Sequence, residues 1–117
     1  MLQGLRTTIY SVGDQLEPAK AWFAQLLGYP AYFDQPFYVG FNVGGYELGL
    51  IPDGEGATTY WGVADIQAAW GQLIQQGAQA SEHPKEVGGG IWVATVNDPF
   101  GNRIGIIQNP HFELNAS

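Results

Sequence analysis

Apolar and polar positions run through this chain in two rounds of one pattern. Thr7-Thr8-Ile9-Tyr10-Ser11-Val12-Gly13-Asp14 is rich in β-branched and aromatic residues and reads as a strand that ends in a turn. Fifty-one positions on (58 − 7), Thr58-Thr59-Tyr60-Trp61-Gly62-Val63-Ala64-Asp65 repeats it with four of eight residues identical. After each copy the apolar spacing lengthens from two to three and four. Ala19, Trp22, Phe23, Leu26 and Leu27 predict a helix with Pro18 in its first turn and Gly28 as its stop. Ile66, Ala69, Trp70, Leu73 and Ile74 predict a second helix, closed by Gly77. Asp14 and Asp65 stand where an N-cap belongs, because a short carboxylate can accept from an unpaired N–H of the first turn. Trp22 and Trp70 hold matching places and are read as helix anchors packed on a sheet.

Three short extended segments follow each helix: 31–35, 37–43 and 46–51 in the first half, 79–83, 91–97 and 102–108 in the second. Gly44-Gly45 supplies a two-residue hairpin turn, while Gly88-Gly89-Gly90 loosens the connection ahead of 91–97. The pattern is β-α-β-β-β twice, an α+β class, with a polar link at Pro52-Asp53-Gly54-Glu55-Gly56. Neither copy can bury a sheet and a helix alone, so residues 1–117 are expected to form a single domain. Unit one covers about 5–52, unit two about 57–110, and 111–117 is a tail. His83, beside Pro84, falls in a loop on this reading, and His111 follows the last strand.

Composition narrows the function classes. A hydrophobic share of 45% and an aromatic share of 14% suit a folded globule. Acidic residues outnumber basic ones 11 to 4, for a net charge of -7. Such a chain is repelled by nucleic acid and by anionic membrane surfaces. The same charge suits a cationic small molecule, although solubility is its plainer explanation. Cysteine is absent, which removes disulfides, thiolate nucleophiles and thiolate metal sites together. No apolar run approaches the roughly 18 residues of a membrane span, and no signal peptide precedes the first strand. A soluble, cytoplasmic protein is the expectation.

The turn Asp98-Pro99-Phe100-Gly101-Asn102 joins the apolar runs 91–96 and 104–107. Together with the doubled unit and Val-x-Asp before each helix, it resembles the vicinal oxygen chelate superfamily, which holds glyoxalases, extradiol dioxygenases and bleomycin-resistance proteins. The likeness spans about residues 5–110. It implies two units forming a curled mixed sheet around a cavity, helices on the outside, and a homodimer. Metal-dependent members carry His, Glu or Gln at four cavity positions. Carried over, the first-strand positions are Thr7 and Thr58, seven residues before Asp14 and Asp65. Leu48-Gly49-Leu50-Ile51 matches Ile104-Gly105-Ile106-Ile107, which places the last-strand positions at Gly49 and Gly105. Two hydroxyls and two glycines are no donor set for a divalent transition metal. Sliding the register by two brings in Glu47, still one carboxylate without a histidine partner, and neither His83 nor His111 falls in a slot. The resemblance is therefore to a member lacking the metal ligands, with no cofactor expected.

Alternation along the strands sets out the side chains that share a face with those slots. They are Thr7, Ile9, Ser11, Glu47, Gly49 and Ile51, and in the second half Thr58, Tyr60, Gly62, Arg103, Gly105 and Ile107. Gly49 and Gly105 are expected to widen the cavity floor and let a ligand approach the backbone. Glu47 and Arg103 are repeat-equivalent, and either facing each other or lying at solvated strand ends fits them. Phe37, Phe41 and Trp92 are placed on the middle strands, where pocket lining, core packing and a dimer contact are all open. The candidate ligand-binding set is Thr7, Ile9, Glu47, Gly49, Thr58, Tyr60, Trp92, Arg103 and Gly105. The leading function is metal-free binding of a small molecule, aromatic or cationic, in the bleomycin-resistance manner. The alternative is a glyoxalase-like lyase, isomerase or dioxygenase, with an unrecognised metal or a metal-free site using Glu47, Tyr60 or Arg103. A module recognising another protein is a third.

Overall fold

The computed structural model describes residues 1–54 and 56–112, so most of the expected tail lies outside the described residues. The elements in order are β1 (Leu5–Ser11), α1 (Leu16–Leu27), β2 (Phe33–Gln35), β3 (Tyr38–Val43) and β4 (Tyr46–Ile51). The second round is β5 (Gly56–Gly62), α2 (Ile66–Gln75), β6 (Gln79–Gly88), β7 (Ile91–Asn97) and β8 (Arg103–Gln108). The doubled β-α-β-β-β pattern is present, and the fold class is α+β. The chain divides into two compact units. One is Thr7–Ala57; the other takes in Met1–Arg6 and residues 58–112. Those first residues are tied to the second unit by backbone: Gln3 N–H donates to Gly62 O at 2.7 Å, and Gly62 N–H donates to Gly4 O at 2.8 Å. The Arg6 guanidinium also lies 4.3 Å from the centre of the Phe112 ring.

In the first unit the strand order is β2-β3-β4-β1, with β1 parallel to β4 and the other pairs antiparallel. Every second residue turns toward α1. Val39, Phe41 and Leu50 have no solvent exposure and pack with Leu16, Leu48, Phe23 and Leu27. Tyr10 stacks on Phe23, with ring centres 5.9 Å apart. The opposite face therefore carries Thr7 and Ile9, Tyr38 and Gly40, Glu47 and Gly49. Gly28 closes α1 in the left-handed region, φ 87°, as expected. The start of α1 differs from expectation. Its N-cap is Gln15 with no side-chain cap bond, and Asp14 instead accepts from the Gln15 amide at 3.0 Å. Trp22 differs as well. It is 59% exposed and meets Phe23 edge-on at 4.9 Å, because Ala19, Phe23 and Leu27 form the packed stripe and Trp22 lies to one side of it.

The second unit has strand order β5-β8-β7-β6, with β5 parallel to β8. Asp65 caps α2 by accepting from Ala68 N–H at 3.2 Å. Val63, Ile66, Ala69, Ala94 and Ile106 form the core, with Trp61, Trp70, Leu73 and Trp92 packed on it. Trp70 is the anchor that Trp22 is not, and its indole N–H donates to Thr95 O at 3.4 Å. β6 is twice as long as expected, so His83 and Pro84 lie in a strand and not in a loop. Register shifts on either side of Glu82 and before Gly88 bulge the strand, which suits a proline with no ladder donor to offer. The His83 ring sits 4.6 Å from Trp70. Gly88, Gly89 and Gly90 all have positive φ and turn the chain directly from β6 into β7.

Candidate functional site

The sheet face away from α1 begins with two glycines. Gly40 on β3 and Gly49 on β4 are register partners, which leaves a trough without side chains across two strands. Tyrosine rings fill it. A methyl group built on Gly49 would fall 2.7 Å from Tyr38 Cζ, and one on Gly40 would fall 3.1 Å from Tyr38 Cε1 and 3.3 Å from Tyr32 Cε1. Both phenols then reach one carboxylate: Tyr32 donates to Glu47 Oε1 and Tyr38 to Glu47 Oε2. Burial, and next the bond to Glu47 and its charge, push the Tyr32 phenol well above its ordinary ionisation range. Among the described residues the acidic partners of lysine are Glu17 and Asp34 for Lys20, at 2.9 and 3.0 Å, and Glu82 for Lys85, at 3.8 Å. No cation among them pairs with Glu47. Thr7 and Ile9 of β1 stand opposite Glu47 and Gly49 in the parallel register, and Phe33 meets Tyr38 at 6.0 Å.

An equivalent event occurs in the second unit. Tyr60 and Gly105 are register partners on β5 and β8, and a methyl group on Gly105 would fall 2.5 Å from Tyr60 Cδ1. Burial pushes the Tyr60 phenol up, the Glu82 charge adds to this, and the Arg103 charge opposes it. Arg103 donates to the buried Thr58 hydroxyl at 3.4 Å. Gly62, two residues beyond Tyr60, is covered by the Arg6 side chain, whose Nε would lie 2.6 Å from an added methyl.

These contacts correct the expectation for the glycines. Gly49 and Gly105 do not open a floor, because a neighbouring tyrosine occupies the volume each releases. Trp92 and Phe41 belong to the helix-side cores, off the faces that carry Tyr60 and Glu47 respectively. Phe37 is not on a middle strand. It occupies the β2–β3 turn, 65% exposed and 6.1 Å from Phe33. Within its own unit each of the repeat-equivalent pair has neutral hydrogen-bond partners: Glu47 the two phenols, Arg103 the Thr58 hydroxyl. Sequence reasoning missed Tyr32, Tyr38 and Glu82. Tyr38 was within reach, since it lies two residues from Gly40 on the same strand face. Tyr32 precedes its strand, and alternation says nothing about it.

The metal that the resemblance would imply does not fit the residues present. The four slots offer Thr7, Gly49, Thr58 and Gly105; the Thr58 hydroxyl is engaged by Arg103, and the glycines lie under rings. Among the described residues no group of three or more His, Asp or Glu could hold a metal ion.

No family profile and no curated protein matches this sequence. Solved structures do. A glyoxalase/bleomycin resistance protein/dioxygenase superfamily member from Vibrio splendidus is 19% identical with a TM-score of 0.69, over 90% of this chain and 99% of that one. The Mn(II)-bound glyoxalase from Novosphingobium aromaticivorans is 16% identical, TM-score 0.71, over 92% of this chain and 39% of that one. Homoprotocatechuate 2,3-dioxygenase from Brevibacterium fuscum is 15% identical, TM-score 0.72, over 92% and 33%. At such identities the likeness shows the fold.

Proposed function

We propose that this chain, which has the vicinal oxygen chelate fold, is a metal-free small-molecule binding protein of the glyoxalase/bleomycin-resistance-like type. The observation that carries the reading is the symmetric filling of Gly49 by Tyr38 and of Gly105 by Tyr60. At both last-strand slots an aromatic ring stands where the resemblance would place a metal donor. Such a ring offers a broad apolar surface with one hydrogen-bonding end, which is equipment for holding an organic molecule. Thr7, Ile9 and Glu47, joined by Tyr32 and Tyr38, provide the binding groups of the first unit. Thr58, Tyr60 and Arg103 provide those of the second. The reading includes a cytoplasmic homodimer, the dimer in keeping with the superfamily resemblance. No helix among the described residues is long and apolar enough to cross a membrane.

Native mass spectrometry of untagged protein, purified without chelators, tests this directly. The expected species is a dimer carrying no metal, bare or with an organic adduct, and Tyr60→Ala should lower the adduct's occupancy. A stoichiometric zinc, nickel, manganese or iron mass would overturn the metal-free reading. A monomer mass would overturn the dimer.

A further inference from the structure

We propose that Tyr32, Tyr38 and Glu47 form a recognition site for a quaternary or fully methylated ammonium group. The inference rests on the binding function above and names the chemical class of its ligand.

Charge comes first. The Glu47 carboxylate has no cationic partner among the described residues, and its two hydrogen-bond donors are neutral phenols. Neutral donors satisfy lone pairs without cancelling the charge, so the site keeps a full negative charge for a ligand to meet. The net charge of -7 adds a field that draws cations toward the whole molecule.

Shape comes next. Two tyrosine rings lie side by side over Gly40 and Gly49, held from below by backbone and at their tips by one carboxylate. The negative face of an aromatic ring attracts a cation within about 6 Å of its centre, and such contacts are worth about 0.5–2 kcal/mol each. Tyr32 is 64% exposed, so its ring is open to a ligand from solvent, and Phe33 adds an aromatic wall behind Tyr38. The Tyr32 phenol, its ionisation raised, stays protonated at neutral pH and adds no competing anion.

The type of cation follows from the hydrogen bonds. Each Glu47 oxygen already accepts one phenolic proton, which leaves about two of the carboxylate's four acceptor sites, too few for the three N–H groups of a primary ammonium. A primary ammonium must place its N–H groups against acceptors or lose their hydration uncompensated. A methylated ammonium has no N–H to satisfy and presents only polarised methyl groups, which rest on ring faces beside a carboxylate. The site therefore selects for methylation.

The test uses the full chain and three probes at constant ionic strength, followed by backbone amide shifts: choline, ethanolamine and 3,3-dimethylbutan-1-ol. The last is choline's neutral shape analogue. Choline should shift Gly40 and Gly49 saturably, and ethanolamine and the neutral analogue should bind at least about tenfold more weakly. Glu47→Gln should weaken choline by about tenfold or more and affect the neutral analogue far less. Tyr32→Ala should weaken choline more than Tyr32→Phe, which keeps the ring and supplies a variant that folds if the alanine does not. Equal affinity for choline and its neutral analogue, or undiminished choline binding in Glu47→Gln, would overturn the proposal. A panel of neutral aromatic compounds separates the two levels. If those bind saturably and choline does not, the cation site fails and the binding function stands. If nothing binds, both fail.

Discussion

Tyr60 lies over Gly105 with the root of its ring against the backbone, and that contact carries a stability prediction. The clash from an added methyl falls on Cδ1, near the root of a half-buried ring, so the ring cannot simply swing away. Gly105→Ala should cost about 1–3 kcal/mol of unfolding free energy, the usual range for forcing an extra methylene into a packed place. The cost should largely vanish against a Tyr60→Ala background, a coupling that chemical denaturation of the double-mutant cycle reads out. Gly49→Ala should cost less, since the obstruction there is the far end of Tyr38. The phenols carry a second prediction. Tyr32 and Tyr60 have ionisations raised above the ordinary value of 10.0. A raised folded-state value means the folded chain holds its proton longer. The stability each contributes is complete below about pH 10 and is lost as pH climbs through the folded value. A phenolate absorbance titration should show a late-ionising class that shrinks in Tyr32→Phe and again in Tyr60→Phe. If all six tyrosines ionise together in the folded protein, this assignment is wrong.

Helices and strands were the most legible elements, for a definite reason. Val39, Phe41, Leu48 and Leu50 alternate strictly because one sheet face is buried under α1, and burial on one face is what writes period two into a sequence. Boundaries and facing were less legible. Repeat symmetry gave Trp22 and Trp70 the same role, yet Trp22 sits beside the packed stripe of its helix and Trp70 sits in it. Their substitution should diverge accordingly. Trp22→Ala should change stability by no more than about 0.5 kcal/mol, as at other exposed positions. Trp70→Ala should cost about 3 kcal/mol through lost packing on the core and on His83. Equal effects in thermal unfolding would mean that the helix facing is misassigned. β6 defeated the sequence reading because Pro84 normally marks a loop. Here a bulged strand absorbs it, and nothing local announces a bulge.

At the scale of the whole chain, the doubled unit was visible because its two copies still share residues at equivalent places. The candidate site was half visible. Gly49 and Gly105 came from repeat alignment, and Glu47 and Tyr60 from strand alternation. Tyr32 and Tyr38, which fill the trough over Gly40 and Gly49, were missed: Tyr32 precedes its strand, and Tyr38 over Gly49 is a diagonal contact with no fixed sequence spacing. The assignment of Met1–Arg6 to the second unit was invisible for the same reason, since it depends on backbone pairing with Gly62. The rings over the glycines also bear on how such a chain can change over generations. Installing a metal donor at Gly105 takes two steps, removal of Tyr60 and introduction of the carboxylate or imidazole. Taken first, either step is harmful: the donor collides with the ring, and loss of the ring leaves a void above a bare backbone. Rings laid over both glycines thus act as a ratchet: no single substitution at these places yields a metal ligand without first harming the fold.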